Sequence, residues 1–162
     1  VDFRRCTLSK ADMRRCQVQS ADLSQVVFME TDLRGANLAG ATLTKANFTE
    51  SKLDEAVLDG ANMERINLEG SDAKDASFRG VDLRHAHCHG IHAHGSCFAG
   101  SDLSDAIFTN ADLSGADLSG CKVARADFSG AVLTGCTVEG ISGLELVITS
   151  EETEGRELLR DS

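Results

Sequence analysis

Five histidines, six cysteines and 26 carboxylates are the raw material from which a catalytic or metal centre would be built. All five histidines fall within ten residues, in the run HAHCHGIHAH at 85–94. Imidazole and thiolate together make a borderline-soft ligand set that suits zinc or nickel. His87 and His89 flank Cys88, and on extended backbone they lie about 6.6 Å apart on one face. That pair can pinch a single ion, whereas Cys88 points to the opposite face and cannot join it. The competing reading is a solvated stretch of surface, and the sequence calls for no metal and no cofactor. A nucleophile would need a neighbouring base and an oxyanion site in a concave pocket. Serine and aspartate are plentiful but recur as spacers, and no Walker A run or GxGxxG phosphate loop is present. The chain therefore reads as non-enzymatic.

What places these side chains is a repeat of five. Cut into fives from Val1, the chain runs VDFRR, CTLSK, ADMRR and onward without insertion to CTVEG at 136–140, giving 28 units. The third residue of each unit, its centre, is apolar throughout, from Phe3, Leu8, Met13 and Val18 to Val138. The first residue is small, the second is Asp in ten units and Asn in four, and the fifth is Gly in 13. A period of five fits neither a helix nor a long strand. It fits a short extended stretch, with positions one and three facing inward, followed by a two-residue corner. Glycine gives the corner its freedom, and Asp or Asn at position two can bond nearby backbone.

The runs TDLRG ANLAG, ADLSG ADLSG and ADFSG resemble the pentapeptide-repeat family, whose pattern is A(D/N)LXX, over residues 1–140 of 162. The resemblance implies an all-β fold, a right-handed quadrilateral parallel β-helix with four units per coil. It implies about seven coils, roughly 34 Å of rod at the usual strand spacing. Taking every twentieth residue then sorts the centres by side. Leu33, Leu53 and Leu113 share a side with Ala73 and Ala93; Phe48 and Phe108 share a second; Phe78 and Phe98 share a third. Where one side shrinks to Ala73 or Ala93, the next grows to Phe78 or Phe98, which keeps the interior filled. These seven large centres are the expected stacking core, and Leu53→Lys is expected to unfold the central coils by burying an unpaired charge. Proline is absent, as a ladder needing every amide requires. Cys6, Cys16, Cys88, Cys121 and Cys136 fall on inward positions and only Cys97 on an outward one. They read as apolar fillers in a reducing, cytoplasmic compartment, or in a larger protein that is exported.

Outward positions stack in the same way. Arg5, Lys45, Arg65 and Arg125 belong to one mostly basic ridge of fifth positions, the candidate partner surface. Fifth positions from Gly40 to Gly140 form a smooth glycine edge on another side. His92 should stack between Asp72 and Asp112, which favours its charged form and makes a candidate acid-responsive spot. Residues 141–162 leave the pattern. Thr149 with Glu152 resembles a capping box leading to Leu158 and Leu159, so a short C-terminal helical cap is expected. The missing Met at position 1 and the uncovered first coil lead us to expect a larger protein, or a second copy joined through a terminal coil.

The net charge of −10, and aromatics of only 4% without Trp or Tyr, argue against direct nucleic-acid binding. No apolar window is long enough for a membrane span. A structural or protein-binding module of a larger bacterial protein (effector, secretion adaptor or regulator) is the first functional expectation. The resemblance offers a second, a DNA mimic of the quinolone-resistance kind that binds gyrase. Against it, the acidic column of Asp22, Asp82 and Asp102 is interrupted by Thr42, Asn62 and Lys122.

Overall fold

The computed structural model describes residues 3–160; Val1 and Asp2 of the first repeat, and Asp161 and Ser162, lie outside them. Its backbone is one circuit repeated. Each second-position residue from Thr7 to Lys122 forms a parallel bridge with the residue 20 further on, as in Thr7 with Val27 and Asp102 with Lys122. The paired stretches are single residues, too short to be strands in their own right. Between bridges the chain turns a corner every five residues, so it makes four corners before it meets itself again.

Four recurring backbone hydrogen bonds per unit explain why five residues suffice, one of them from the fifth-position amide to the fourth-position carbonyl one coil on, as Gly40 donates to Asp59 at 2.8 Å. The centre amide donates to the second-position carbonyl one coil on, as Leu33 does to Lys52 at 2.8 Å. The second-position amide donates back to the previous coil, as Asn37 does to Cys16 at 2.9 Å. The first-position amide donates to the centre three residues before it, closing the corner, as Ala41 does to Leu38 at 3.0 Å. The fifth residue sits third in that four-residue turn and takes a left-handed conformation, near φ +66° at Gly40. Position two secures the corner: the side-chain oxygen of Asn37 accepts the Ala39 amide at 3.1 Å, and Asp117 that of Ser119 at 2.9 Å.

Centres from Leu23 to Leu133 are buried, and the seven large ones (Leu33, Phe48, Leu53, Phe78, Phe98, Phe108 and Leu113) are fully so. The rings of Phe78 and Phe98 stack 4.8 Å apart, nearly parallel, beside Ala73 and Ala93, which are likewise buried. Burying such a side chain contributes about 1.5–3 kcal/mol. Phe108 and Phe128 continue the pattern at 5.4 Å on the opposite side. Several first-position hydroxyls and thiols bond inward: Thr31 to the Leu8 carbonyl, Ser101 to Phe78, Cys121 to Phe98. All six cysteines are free. Burial pushes the Cys121 and Cys136 thiols up to about 11 and Cys88 higher still, so these three are fillers rather than nucleophiles.

The C-terminal segment departs from the expected helical cap. Ser142, Ile148 and Glu154 continue the ladder above Lys122, Asp127 and Val132, but six residues apart instead of five. The extra residues go into 3-10 turns and corners. One turn is Leu144–Leu146 and the other Arg156–Leu159, each preceded by a left-handed glycine, Gly143 or Gly155. Thr149 and Glu152 cap neither turn. Thr153 does the anchoring, donating to the Phe128 carbonyl and accepting the Ser150 amide. Leu159 is the buried residue of the last turn. No helix among the described residues is long and apolar enough to cross a membrane.

Candidate interaction surface

Outward positions are fixed by the same backbone, so the surface is a set of straight columns. Fifth positions on the first side run Arg5, Gln25, Lys45, Arg65, His85, Asp105 and Arg125, and all seven are left-handed at φ 57–61°. For a residue with a Cβ that conformation costs about 1–2 kcal/mol. The corresponding column on the fourth side is glycine from Gly40 to Gly140, and adding a Cβ at Gly60, Gly80 or Gly100 would meet nothing nearby. Space therefore does not distinguish the two edges. On the ridge, Arg125 is held in a double hydrogen bond by Asp105, 2.6 Å on each arm, and Arg5 reaches Gln25 at 3.2 Å. Arg65 approaches Glu64 at 3.8 Å. The outer charge of Arg125 is thus largely answered within the molecule, which leaves Lys45, Arg65 and His85 as the basic stretch.

All five histidines are exposed, on three successive sides of the shaft. Buried Cys88 separates His87 from His89, and His87 bridges Asn67 and Ile107. His89 Nδ1 lies 2.7 Å from Thr109 Oγ1, one coil on. His92 bridges both Asp72 and Asp112, but its ring goes one way: Nδ1 is 2.9 Å from Asp72 Oδ1. Asp112 instead accepts from the Ser114 hydroxyl at 2.5 Å and the Ser114 amide at 3.0 Å. Burial tends to raise the Asp112 carboxyl, yet those two bonds outweigh it and hold the group below the usual range. His94 Nδ1 is 2.9 Å from Ser114 Oγ, so His92 and His94 lean toward opposite ends of the shaft. Among the described residues no three His, Cys, Asp or Glu are gathered to hold a metal ion. With Asp72 drawn to His92, the Lys74 amide is taken by Asp54 of the previous coil at 3.0 Å.

Acidic positions are similarly answered. Arg14, Arg34 and Arg84 each clasp the aspartate two residues before them, at 2.6–2.7 Å. These guanidinium bonds pull the carboxyls of Asp32 and Asp82 down, and that of Asp12 to about 2. In the acidic column, Asp82 is held by Arg84, and Asp102 lies 3.8 Å from Lys122. Sequence reasoning places the columns but misses these clasps. Their signal is the D-x-R spacing at Asp12, Asp32 and Asp82.

Comparison with known proteins accounts for the architecture. Eight copies of the pentapeptide-repeat model match the chain, covering 1–25 and 27–141 between them. Among solved structures, a trypsin-treated variant of QnrB1, a plasmid-mediated fluoroquinolone resistance protein, is similar with a TM-score of 0.55 and 21% identity. That match covers 90% of this chain and 78% of the other. HetL, a pentapeptide-repeat protein involved in heterocyst differentiation regulation in the cyanobacterium Nostoc sp. strain PCC 7120, is 21% identical over 93% of this chain and 92% of its own, with a TM-score of 0.33. No curated protein matches the chain. The five-residue period, the 20-residue parallel register and the family match agree: the chain belongs to the pentapeptide-repeat family, whose members fold as right-handed β-helices.

Proposed function

We propose that the chain is a non-catalytic protein-interaction scaffold of about seven coils, working in a reducing compartment, and that Lys45, Arg65 and His85 on the first-side ridge contact an acidic protein partner. Arg5 and Arg125 mark the ends of that ridge. One observation carries the reading. All seven first-side corners, Arg5 to Arg125, hold side chains in a conformation that favours glycine, while the fourth-side edge is glycine from Gly40 to Gly140. At Lys45 the left-handed turn costs energy that glycine would not, so a surface role is the simplest source of that choice. The test is the double variant Lys45→Gly with Arg65→Gly. It should melt at a higher temperature than wild type and lose at least tenfold in affinity for the physiological partner in a titration. Unchanged affinity overturns the assignment of the ridge.

A second reading is inhibition of a type II topoisomerase by DNA mimicry. The net charge of −10 and the fold likeness to QnrB1 favour it. The clasped state of Asp82 and Asp102 counts against a continuous negative face. A gyrase supercoiling assay separates the two: inhibition at micromolar protein supports mimicry, and undisturbed supercoiling leaves the scaffold reading.

A further inference from the structure

Away from the end coils, the large apolar side chains exposed among the described residues are Met29 and Ile107, each 37% exposed. Both stand on the second side of the shaft, the one that Phe48 and Phe108 line from within. The middle of that face is its second-position column, Val27, Asn47, Asn67, His87 and Ile107, stacked one above another by parallel bridges. This column carries no carboxylate until Asp127, one coil beyond Ile107. The matching columns are acidic on the first side, with Asp22, Asp82 and Asp102, and on the third, with Asp32, Asp72 and Asp112. The second side can therefore lie against its own copy without setting carboxylate on carboxylate, and those two cannot. The fourth side is nearly neutral as well, but it exposes no large apolar residue among the described ones.

The two corners that bound this face are opposite in charge. One is the ridge, with Lys45 and Arg65; the other, reached a few residues later in each circuit, carries Glu30, Glu50 and Glu69, all exposed. Lys10 answers Glu30 at 3.4 Å. Lys45, Glu50 and Glu69 enter no ion pair among the described residues, and Arg65 only approaches Glu64, at 3.8 Å. Lys45 and Glu50 belong to one circuit, and Arg65 and Glu69 to the next. The unanswered charges thus stand at matching heights on opposite edges of one face. Half a turn about an axis parallel to the shaft exchanges those edges and keeps the height. Lys45 of one copy then meets Glu50 of the other, Arg65 meets Glu69, and Val27 and Ile107 meet their own counterparts at the two ends of the patch. Antiparallel copies would instead lay ridge on ridge.

We propose that the second side binds the second side of another copy, the two shafts lying side by side and parallel. The inference rests on the ridge reading above and names the acidic partner of the ridge as a second copy of the chain. Such a contact is isologous and closes at two copies. From Val27 to Ile107 the patch spans four coil spacings, about 19 Å. A contact of that length belongs to the small, reversible class, so the dimer comes apart on dilution.

Sedimentation velocity of the 162-residue chain from micromolar to millimolar concentration tests this. The weight-average mass is expected to rise from one copy to a plateau at two. Lys45→Glu with Arg65→Glu, and separately Glu50→Lys with Glu69→Lys, should each weaken the dimer at least about tenfold by setting like charges together. Mixing the two variants makes both edges of the mixed pair opposite in charge and should restore it. Ile107→Asp should weaken the dimer as strongly with an unchanged melt, because ten units already carry Asp at that position. If a double variant melts early, Ile107→Asp and the single Glu50→Lys are read in its place. A wild-type monomer throughout, growth past two copies, or a dimer indifferent to Ile107→Asp overturns the second-copy assignment and leaves the ridge to another acidic partner. A dimer lost in Ile107→Asp but untouched by the reversals at Lys45 and Arg65 overturns the ridge reading as well.

Discussion

At the scale of single residues, the interior hydroxyls separate two effects that look alike in sequence. Ser101 is buried, accepts the Val81 amide at 3.1 Å and donates to the Phe78 carbonyl at 2.7 Å. Ser51 is as deeply buried, but its hydroxyl has no partner among the described residues. Removing a partner strands a buried group at a cost of about 1–3 kcal/mol, whereas removing an unsatisfied group relieves one. Ser101→Ala should therefore lower unfolding free energy by about 1–3 kcal/mol, and Ser51→Ala should leave it unchanged or raise it by up to about 1 kcal/mol. Urea denaturation of the two variants checks the sign. Nothing in the sequence distinguishes these serines, since both occupy first positions. Their difference arises from how each hydroxyl meets the carbonyls around it.

At the scale of the repeat unit, corner and centre answer to different physics. The centres were legible in sequence because burial leaves no freedom: one apolar residue every fifth place, with large and small exchanged between neighbouring sides. Corners were legible where glycine stands, but not where long side chains take the same left-handed turn. Lys45→Gly should stabilise by about 1 kcal/mol, and Gly120→Ala, with ordinary room for a Cβ and φ +67°, should destabilise by about the same. Differential scanning calorimetry of the pair reads both. Gly155→Ala should cost more, because its Cβ would come within 2.9 Å of the Leu133 backbone. The C-terminal segment was the least legible part. Six-residue spacing between bridges hides the repeat from a five-residue reading. Thr149 and Glu152 imitate the start of a helix that the backbone, still following the ladder, does not make.

Across the whole molecule, each coil rests only on its neighbours, as in other solenoids, so stability should grade from the ends inward. Amide exchange should be fastest at Leu8 and Met13, whose coil is covered on one side, and slowest around Leu53 to Leu113. Leu53→Lys buries a charge in the middle of that slow region, and its cooperative melt should disappear. A protection profile flat from end to end would contradict the stacked arrangement. The columns of His92, Asp72 and Asp112, and of Arg65 and Lys45, were legible at this scale from the 20-residue sum. The clasps that neutralise Asp32, Asp82 and Asp105 were not, because they depend on which way a flexible guanidinium turns.

The 20-residue register also makes the molecule a ruler graduated in whole circuits. Excising residues 61–80 would join Gly60 to Val81 with every later side chain still above its old column, only nearer. Losing a single pentad would instead rotate everything beyond it by one side, separating the matched Phe78 and Phe98 layers from the faces they fill. Tandem duplication or loss of complete circuits is therefore the mutational step this architecture absorbs most readily, and its natural unit of variation is reach rather than shape.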